Sequence, residues 1–418
     1  MARLGTRSFE STPLGSPHLL AVLGMALLVM IGFGIIVPAL PLFAARFGVA
    51  EAGIGLLLTA FSLTRLVGDL FGGNLIDRYG ERAMTALGVA IVGVSSVAAG
   101  AAQSYWQLLA FRGAGGVGSA LFLGGLFAYL IGSVPAESRG RAMGLFQASF
   151  GIGFLIGPLL GGLIVALSSE NVPLYVYGAI CLACVPLTMA VMKPVHIPAA
   201  VLGEPAAAAD VPAPVMLGWG RIRPLLRLSA YRAALAAGMM GFFVVAAQQT
   251  LIPGFWTEVL GRSKGTTGIP FAFTAIAGIA VAWHAGVLAD RRGRKFALVP
   301  ALAVSAIASV LMGFSTTAIM VVVLMAVMGA AGGYARPGPT SMIADVATPA
   351  SRGIAVSGYR VATDIGQLVG PILVGTVAQF WGFNAAFIAV ALCVTSAFLV
   401  ALRGEETAPA LRAARADA

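Results

Sequence analysis

Residues 73–82 read Gly-Asn-Leu-Ile-Asp-Arg-Tyr-Gly-Glu-Arg, and residues 286–295 read Gly-Val-Leu-Ala-Asp-Arg-Arg-Gly-Arg-Lys. Asp77 and Asp290 lie 290 − 77 = 213 residues apart. Arg139-Gly140 with Arg352-Gly353, and Gly157-Pro158 with Gly370-Pro371, keep that offset. A constant offset over three separated pairs marks two copies of one structural half.

Composition sets the solvent. Of 418 residues, 59% are hydrophobic and 10% charged, with a mean hydropathy of +0.94, too little polar surface to cover a water-soluble fold of this size. Apolar runs long enough to cross about 30 Å of hydrocarbon fall at about 18–42, 53–76, 83–103, 105–131, 140–167, 172–193, 230–257, 267–289, 296–314, 318–343, 353–380 and 383–402. The expected fold is an all-α membrane protein of twelve transmembrane helices in two pseudo-symmetric six-helix bundles, since a lone helix satisfies its own backbone in lipid. The bundles are assigned to residues 1–193 and 230–402, with a linker at 194–229 and a tail at 403–418 that is expected to fray.

The basic residues set the orientation. Loops after even-numbered spans carry Arg78, Arg82, Arg139, Arg141, Lys193, Arg221, Arg223, Arg227, Arg291, Arg292, Arg294, Lys295 and Arg352, against Arg46, Arg262 and Lys264 on the other side. This places both termini in the cytoplasm of a multi-pass protein of the cell inner membrane. The same bias explains the net charge of +10, so no nucleic-acid partner is expected. The first apolar run leads into Pro38 and Pro41 without a small-residue cleavage site, which argues against a cleavable signal. Cys181, Cys184 and Cys393 fall inside spans and read as packed thiols; no metal site is expected. The segment from Trp219 to Arg232 mixes leucines with arginines, suiting a short helix on anionic headgroups or a solvated basic connector.

Three motifs resemble those of the major facilitator superfamily, and within it the bacterial twelve-helix drug/proton antiporters. The loop signature between spans 2 and 3 has Gly73, Asp77, Arg78, Gly80 and Arg82 in place. Arg112-Gly113-Ala114-Gly115-Gly116 in span 4 is similar to the family's intramembrane arginine motif, and Gly153-Phe-Leu-Ile-Gly157-Pro158-Leu-Leu-Gly161-Gly162 in span 5 to its antiporter motif. The resemblance implies alternating access, a cavity bordered by spans 1, 4, 7 and 10, proton coupling through the arginine motif, and Asp77 meeting the start of span 11 near Arg352 when the cytoplasmic side is closed. By pseudo-symmetry Asp290, followed by Arg291, would approach the start of span 5 beside Arg139. Arg112 has no acidic residue in spans 1 or 4 to pair with, a departure from acid-bearing members.

Each motif also has its own physical reading. A carboxylate at Asp77 complements the positive end of a neighbouring helix, although a basic turn set only by topology would look the same. Gly153, Gly157 and Gly161 recur every fourth residue and permit close packing, and Pro158 can kink the helix; together they suit a helix that rocks against its partner. Gly113-Ala-Gly115-Gly-Val-Gly118 matches a dinucleotide pattern, but no strand precedes it inside this apolar span.

Ionisable residues inside spans cost about 2.5–3.5 kcal/mol each at mid-bilayer. Arg65 and Asp69 in span 2, and Arg360 and Asp364 in span 11, are each spaced i, i+4 and share a helical face. Their opposed directions predict that Asp69 meets Arg360 and Arg65 meets Asp364 when the cytoplasmic side is closed, a latch that protonation weakens; intrahelical pairing is the competing arrangement. The offset maps these positions onto Gln147, Gly151, Gly278 and Ala282, so the symmetry-related seam is uncharged. A charge present on one seam only favours a gate or proton site.

His284 reads as a hydrogen-bonded gate residue or a proton carrier. Gln147, Gln248 and Gln249, with Phe33, Phe150, Phe242 and Phe273, are candidates to line a pocket for an amphipathic compound. The expected activity is secondary active export of amphipathic small molecules or drugs in exchange for protons, by a monomer without a cofactor, driven by the proton gradient. Its partners are a small-molecule or lipid-like substrate and membrane lipids. A lipid or metabolite facilitator on the same scaffold is the alternative. A membrane enzyme or sensor is disfavoured because no Ser/His/Asp set or metal cluster occurs and His18, His196 and His284 are scattered.

Overall fold

The computed structural model describes residues 17–134, 139–192, 219–348 and 351–408. The first half contains α1 (Pro17–Ala45), α2 (Glu51–Tyr79), α3 (Glu81–Gly100), α4 (Tyr105–Ser133), α5 (Arg139–Leu167) and α6 (Val172–Val191). The short α7 (Trp219–Arg227) leads into α8 (Ser229–Gly254), α9 (Gly268–Arg292), α10 (Arg294–Gly313), α11 (Ala318–Ala335), α12 (Pro337–Val346) and α13 (Arg352–Arg403). A π turn, Phe255–Val259, extends α8. The tenth crossing is divided between α11 and α12 at Pro337, whose ring has no amide proton to continue the ladder. Within α13, Gly382 has φ 81°, a left-handed conformation that favours glycine. It separates the arms that make the eleventh and twelfth crossings.

The duplication is visible in backbone geometry. Gly80 and Gly293, the matching glycines of the two repeated stretches, have φ 84° and 111°, and Gly48 and Gly261, again 213 apart, have φ 71° and 60°. Ser104 and Thr317, at the same offset, cap α4 and α11 by accepting from the amides of Gln107 and Met320. Close helix approaches repeat as well: Gly116 abuts the Phe61 carbonyl and Gly329 the Thr274 carbonyl, so a methyl group at either would overlap backbone. One buried core is built from residues of α1 to α6, and the other mainly from residues of α7 to α13.

Two connecting segments behave differently from their sequence reading. Ile222 and Leu225 of α7 are buried in the second core. These apolar side chains of α7 thus pack on their own bundle, so α7 is not a free connector, while Arg223 and Arg227 stay exposed. Residues 194–218 of the expected linker lie outside the described residues, as do the side chains of Trp219 and Arg221. Residues 404–408 do not fray: Thr407 and Ala408 are buried and the Glu406 carboxylate is bonded to α10. The rest of the tail, 409–418, is outside the described residues.

Candidate transport gate

The face carrying the turns at Gly80 and Gly293 is here called the basic face, and the one carrying the turns at Gly48 and Gly261 the far face. On the far face the halves meet along two symmetry-related seams. Gly55 of α2 lies against the Pro371 carbonyl of α13, and Gly268 of α9 lies against the Pro158 carbonyl of α5. Gly375 abuts the Glu51 carbonyl, and its counterpart Gly162 abuts the Gly265 carbonyl. No side chain larger than hydrogen fits at these four glycines, so the far face is closed by backbone packed on backbone.

Toward the basic face the seams part. Between α2 and α13, Thr59 donates its hydroxyl to the Leu368 carbonyl at 2.8 Å, and a turn further on Arg65 Nη2 stands 3.8 Å from Asp364 Oδ1. Beyond this pair Gly68 and Gly72 of α2 face α4 of their own half, while Leu70 and Phe71 are exposed. Between α5 and α9, Gly151 touches Ile279 at van der Waals distance, whereas Gly144, nearer the basic face, has open space where a side chain would project.

The four mid-helix charges are therefore shared unequally. Arg65 also holds Asp69 of its own helix, Nε to Oδ2 at 3.9 Å. Arg360 has its guanidinium 6.0 Å from the centre of the Phe127 ring and no carboxylate within salt-bridge distance among the described residues. The expected Asp69–Arg360 contact is absent here. Both residues lie on the basic-face side of Arg65 and Asp364, where Arg360 turns instead to Phe127 of α4 in the first half.

The two repeated loops differ in their ties. In the first, Arg82 donates to the Met189 carbonyl at the end of α6, and Arg78 stands 5.4 Å over the Tyr79 ring. Asp77 is exposed, with no ion pair among the described residues. In the second, Lys295 donates to the Leu402 carbonyl at 2.8 Å, the contact equivalent to that of Arg82. Asp290 pairs with Arg294, which also reaches Asp345 at 3.4 Å. The Glu406 carboxylate accepts from the Arg294 and Lys295 amides at 2.9 and 3.0 Å, and Thr407 donates its hydroxyl to Asp345 at 2.9 Å. Burial pushes the Glu406 carboxyl up, but four backbone amides outweigh it and hold it below the usual range. The expected neighbours of Asp77 and Asp290, the side chains of Arg352 and Arg139, lie outside the described residues; Arg291 is exposed.

In α5, Gly153, Gly157 and Gly161 pack on Met30, Gly34 and Ile35 of α1, inside their own half. The partner of the stripe is thus α1 of its own half; Gly162 and the Pro158 carbonyl make the contact across the halves. Arg112 is buried, its guanidinium 4.5 Å from the centre of the Phe61 ring, and its Nε finds no hydrogen-bond partner among the described residues. A cation over an aromatic face recovers part of its desolvation cost. Phe33 joins Phe61, Phe154 and Tyr177 in an aromatic cluster. Gln248 is buried and points its amide at Met328 Sδ, 3.6 Å away; Gln249 is half-buried, and Gln147, Phe242 and Phe273 are exposed. Phe150 belongs to α5, with its side chain outside the described residues. His284 Nδ1 is 2.7 Å from the Tyr334 hydroxyl, linking α9 to α11 within one half. The dinucleotide-like glycines lie in the middle of α4.

Sequence reasoning missed two clusters, the ties joining Glu406, Arg294 and Asp345 and one across the halves. On the far face Glu170 accepts from Lys264 at 2.7 Å and faces Arg46 at 3.6 Å. Burial raises the Glu170 carboxyl, but the Lys264 hydrogen bond and the two cationic charges prevail and hold it below its ordinary value. The available signal was a lone acid in a loop facing the side with few bases.

Two helical bundles, related by an internal repeat and packed backbone on backbone along the far face, define a membrane-spanning transporter scaffold. A family model described as Major Facilitator Superfamily matches residues 22–311 and 250–417, and the chain belongs to that superfamily. It is 28% identical over 389 residues to the multidrug resistance protein MdtG of Serratia proteamaculans, covering 87% of each chain. It is 27% identical over 153 residues to the quinolone resistance protein NorA of Staphylococcus aureus, covering 37% of this chain and 39% of that protein. In fold it is similar to a bacterial homologue of the lysosomal transporter Spinster in an inward-facing, unoccupied conformation, with TM-score 0.77, 18% identity and coverage of 94% and 98% of the two chains. The nucleoside transporter NupG superposes with TM-score 0.74 at 14% identity, over 92% of this chain and 99% of that one.

Proposed function

We propose that the protein exports amphipathic small molecules in exchange for protons by alternating access, with the basic face and both termini in the cytoplasm and the chain acting as a monomer in the cell inner membrane. The observation that carries this reading is the asymmetric junction: the halves touch through symmetric glycine–proline contacts on the far face, whereas beyond Arg65 and Asp364 the α2–α13 and α5–α9 seams loosen among the described residues and Arg360 meets only the Phe127 ring. The state described is then open to the cytoplasm. The multidrug relatives support efflux and an amphipathic substrate. Exposed Phe242 and Phe273, with Gln147 and Gln249, offer apolar and amide contacts to such a compound, backed by Phe33 and Gln248.

Arg65–Asp364, expected to pair only when the cytoplasmic side is closed, stays paired in this open state and so serves as the pivot in this mechanism. On closure toward the cytoplasm Asp69 passes from Arg65 to Arg360, and Asp77 docks on the positive end of α13. Protonation of an acid in the quartet weakens that closure and couples the gradient to access. Purified protein in liposomes, with an imposed pH gradient and a panel of dyes, lipids and nucleosides, tests it. Gradient-dependent movement of amphipathic dyes is expected; movement of any compound that ignores the gradient overturns proton coupling, and selective movement of lipids or nucleosides overturns the substrate class.

A further inference from the structure

The cluster at Glu170 lies outside the three motifs and has no counterpart on the other seam. At the matching positions Lys264 is replaced by Glu51 and Glu170 by Phe383. Glu170 sits in the loop between α5 and α6 with only 14% of its side chain exposed, against 52% for Arg46 and 53% for Lys264. One inward-turned acid is thus shared by a cation of its own half, Arg46 after α1, and a cation of the other half, Lys264 before α9.

Both loops are held in place before the pair forms. Asn171 donates to the Gly100 carbonyl at 3.1 Å and accepts from Ser169, fixing the loop that carries Glu170. On the other side Thr267 donates its hydroxyl to the Lys264 carbonyl at 2.7 Å, and Trp256 Nε1 donates to Thr266 at 2.9 Å. The turn itself rests on α5 through Gly265 and Ala166. Such preorganisation means that pairing orders no further loop backbone. The position matters too: Arg65–Asp364 lies partway down its seam, whereas Lys264–Glu170 lies at the rim, where rocking separates the halves most.

We propose that Arg46, Glu170 and Lys264 form an ionic lock that holds the far face shut and sets the balance between the two access states, with Glu170 as the gating residue. The proposal rests on the alternating-access reading above. Arg46 and Lys264 are the charged groups facing Glu170, and they keep its carboxylate ionised through the neutral range, so ionic strength, and not mild acid, releases the lock.

The test is a pair of distances in the full-length protein in lipid nanodiscs, measured by electron spin resonance between labels on the two halves. Ala102→Cys with Ser263→Cys reports the far face, and Tyr79→Cys with Arg292→Cys the basic face, in a background carrying Cys181→Ser, Cys184→Ser and Cys393→Ser. Glu170→Gln and Lys264→Gln should each raise the far-face-open population about three- to tenfold, the double variant no further, and the basic-face distance should shorten in step. High salt should shift the unsubstituted protein the same way. Unchanged distances, or additive shifts in the double variant, would overturn the lock; a misfolded variant would broaden both distances at once. Because neither readout involves transport, a wrong substrate or coupling ion would leave these results intact.

Discussion

The two copies of the repeated loop share a turn geometry and a basic clamp, yet one is tied down and the other is not. Asp290 is held by Arg294, Arg294 by Asp345, and the amides beside it by Glu406, all within the second half. Asp77 has no such ties among the described residues. Duplication supplied two equivalent aspartates; the strap after α13 ties the loop of one into its own half, and the loop of the other carries no such strap among the described residues. The backbone repeat alone would not distinguish them, because what differs is the segment lying over each loop.

Transport should expose this difference most strongly. Asp77→Asn is expected to slow efflux from liposomes about tenfold, roughly the loss of one partly buried charge–helix interaction, whereas Asp290→Asn should stay within about twofold. Equal losses would break the contrast. Glu406→Gln should come next: amide hydrogen exchange over 294–298 is expected to quicken about fivefold as the charge-assisted bonds weaken, with 81–85 unaffected. A uniform change over both loops would mean the strap acts globally.

The charge quartet sharpens the comparison at the depth where the seams part. Asp69→Asn and Arg360→Gln should each favour the basic-face-open population about threefold, and the double variant should do no more, since each removes the same closed-state contact. Strict additivity would leave the Arg65–Asp69 pair as simple neutralisation. The smallest effect is with pH. Because the Glu406 carboxyl is held below its ordinary value when docked, its contribution is fully present above the undocked value, about 4.3, and is lost as pH falls through the docked one. After correction for intrinsic rates, exchange over 294–298 should be flat from pH 8 to about 5 and rise only in stronger acid.

Much of this architecture was legible because lipid imposes it. Apolar runs and the 213-residue offset specify helices, their number and their pairing without reference to particular contacts. The quartet was half legible: helical spacing placed all four charges on facing stripes, but which pair survives depends on how far the halves have parted, a tertiary variable that spacing does not encode. The destination of the glycine stripe in α5 was ambiguous for a related reason, since small residues announce close packing without naming the neighbour. The strap and the Glu170 cluster were beyond reach. Glu406 and Arg294 are 112 residues apart, Glu170 and Lys264 94 apart, and the repeat that contains Arg294 names neither of its acidic partners.

The glycine–proline contacts of the far face bear on kinetics as well as closure. At Gly55–Pro371 and Gly268–Pro158 the halves touch through carbonyls and α-carbons, and Thr59–Leu368 is a rare directional bond across a seam. Dispersion between such surfaces fades within about an ångström of separation, so the seam resists little once parted and has no elastic range over which to hold a half-open state. Crossing between the access states should therefore be abrupt, with dwell times governed by the few polar contacts and transit times nearly independent of them. A single-molecule record would show two sharp levels and brief, featureless passages, and substitutions at polar residues would lengthen or shorten the levels without moving them.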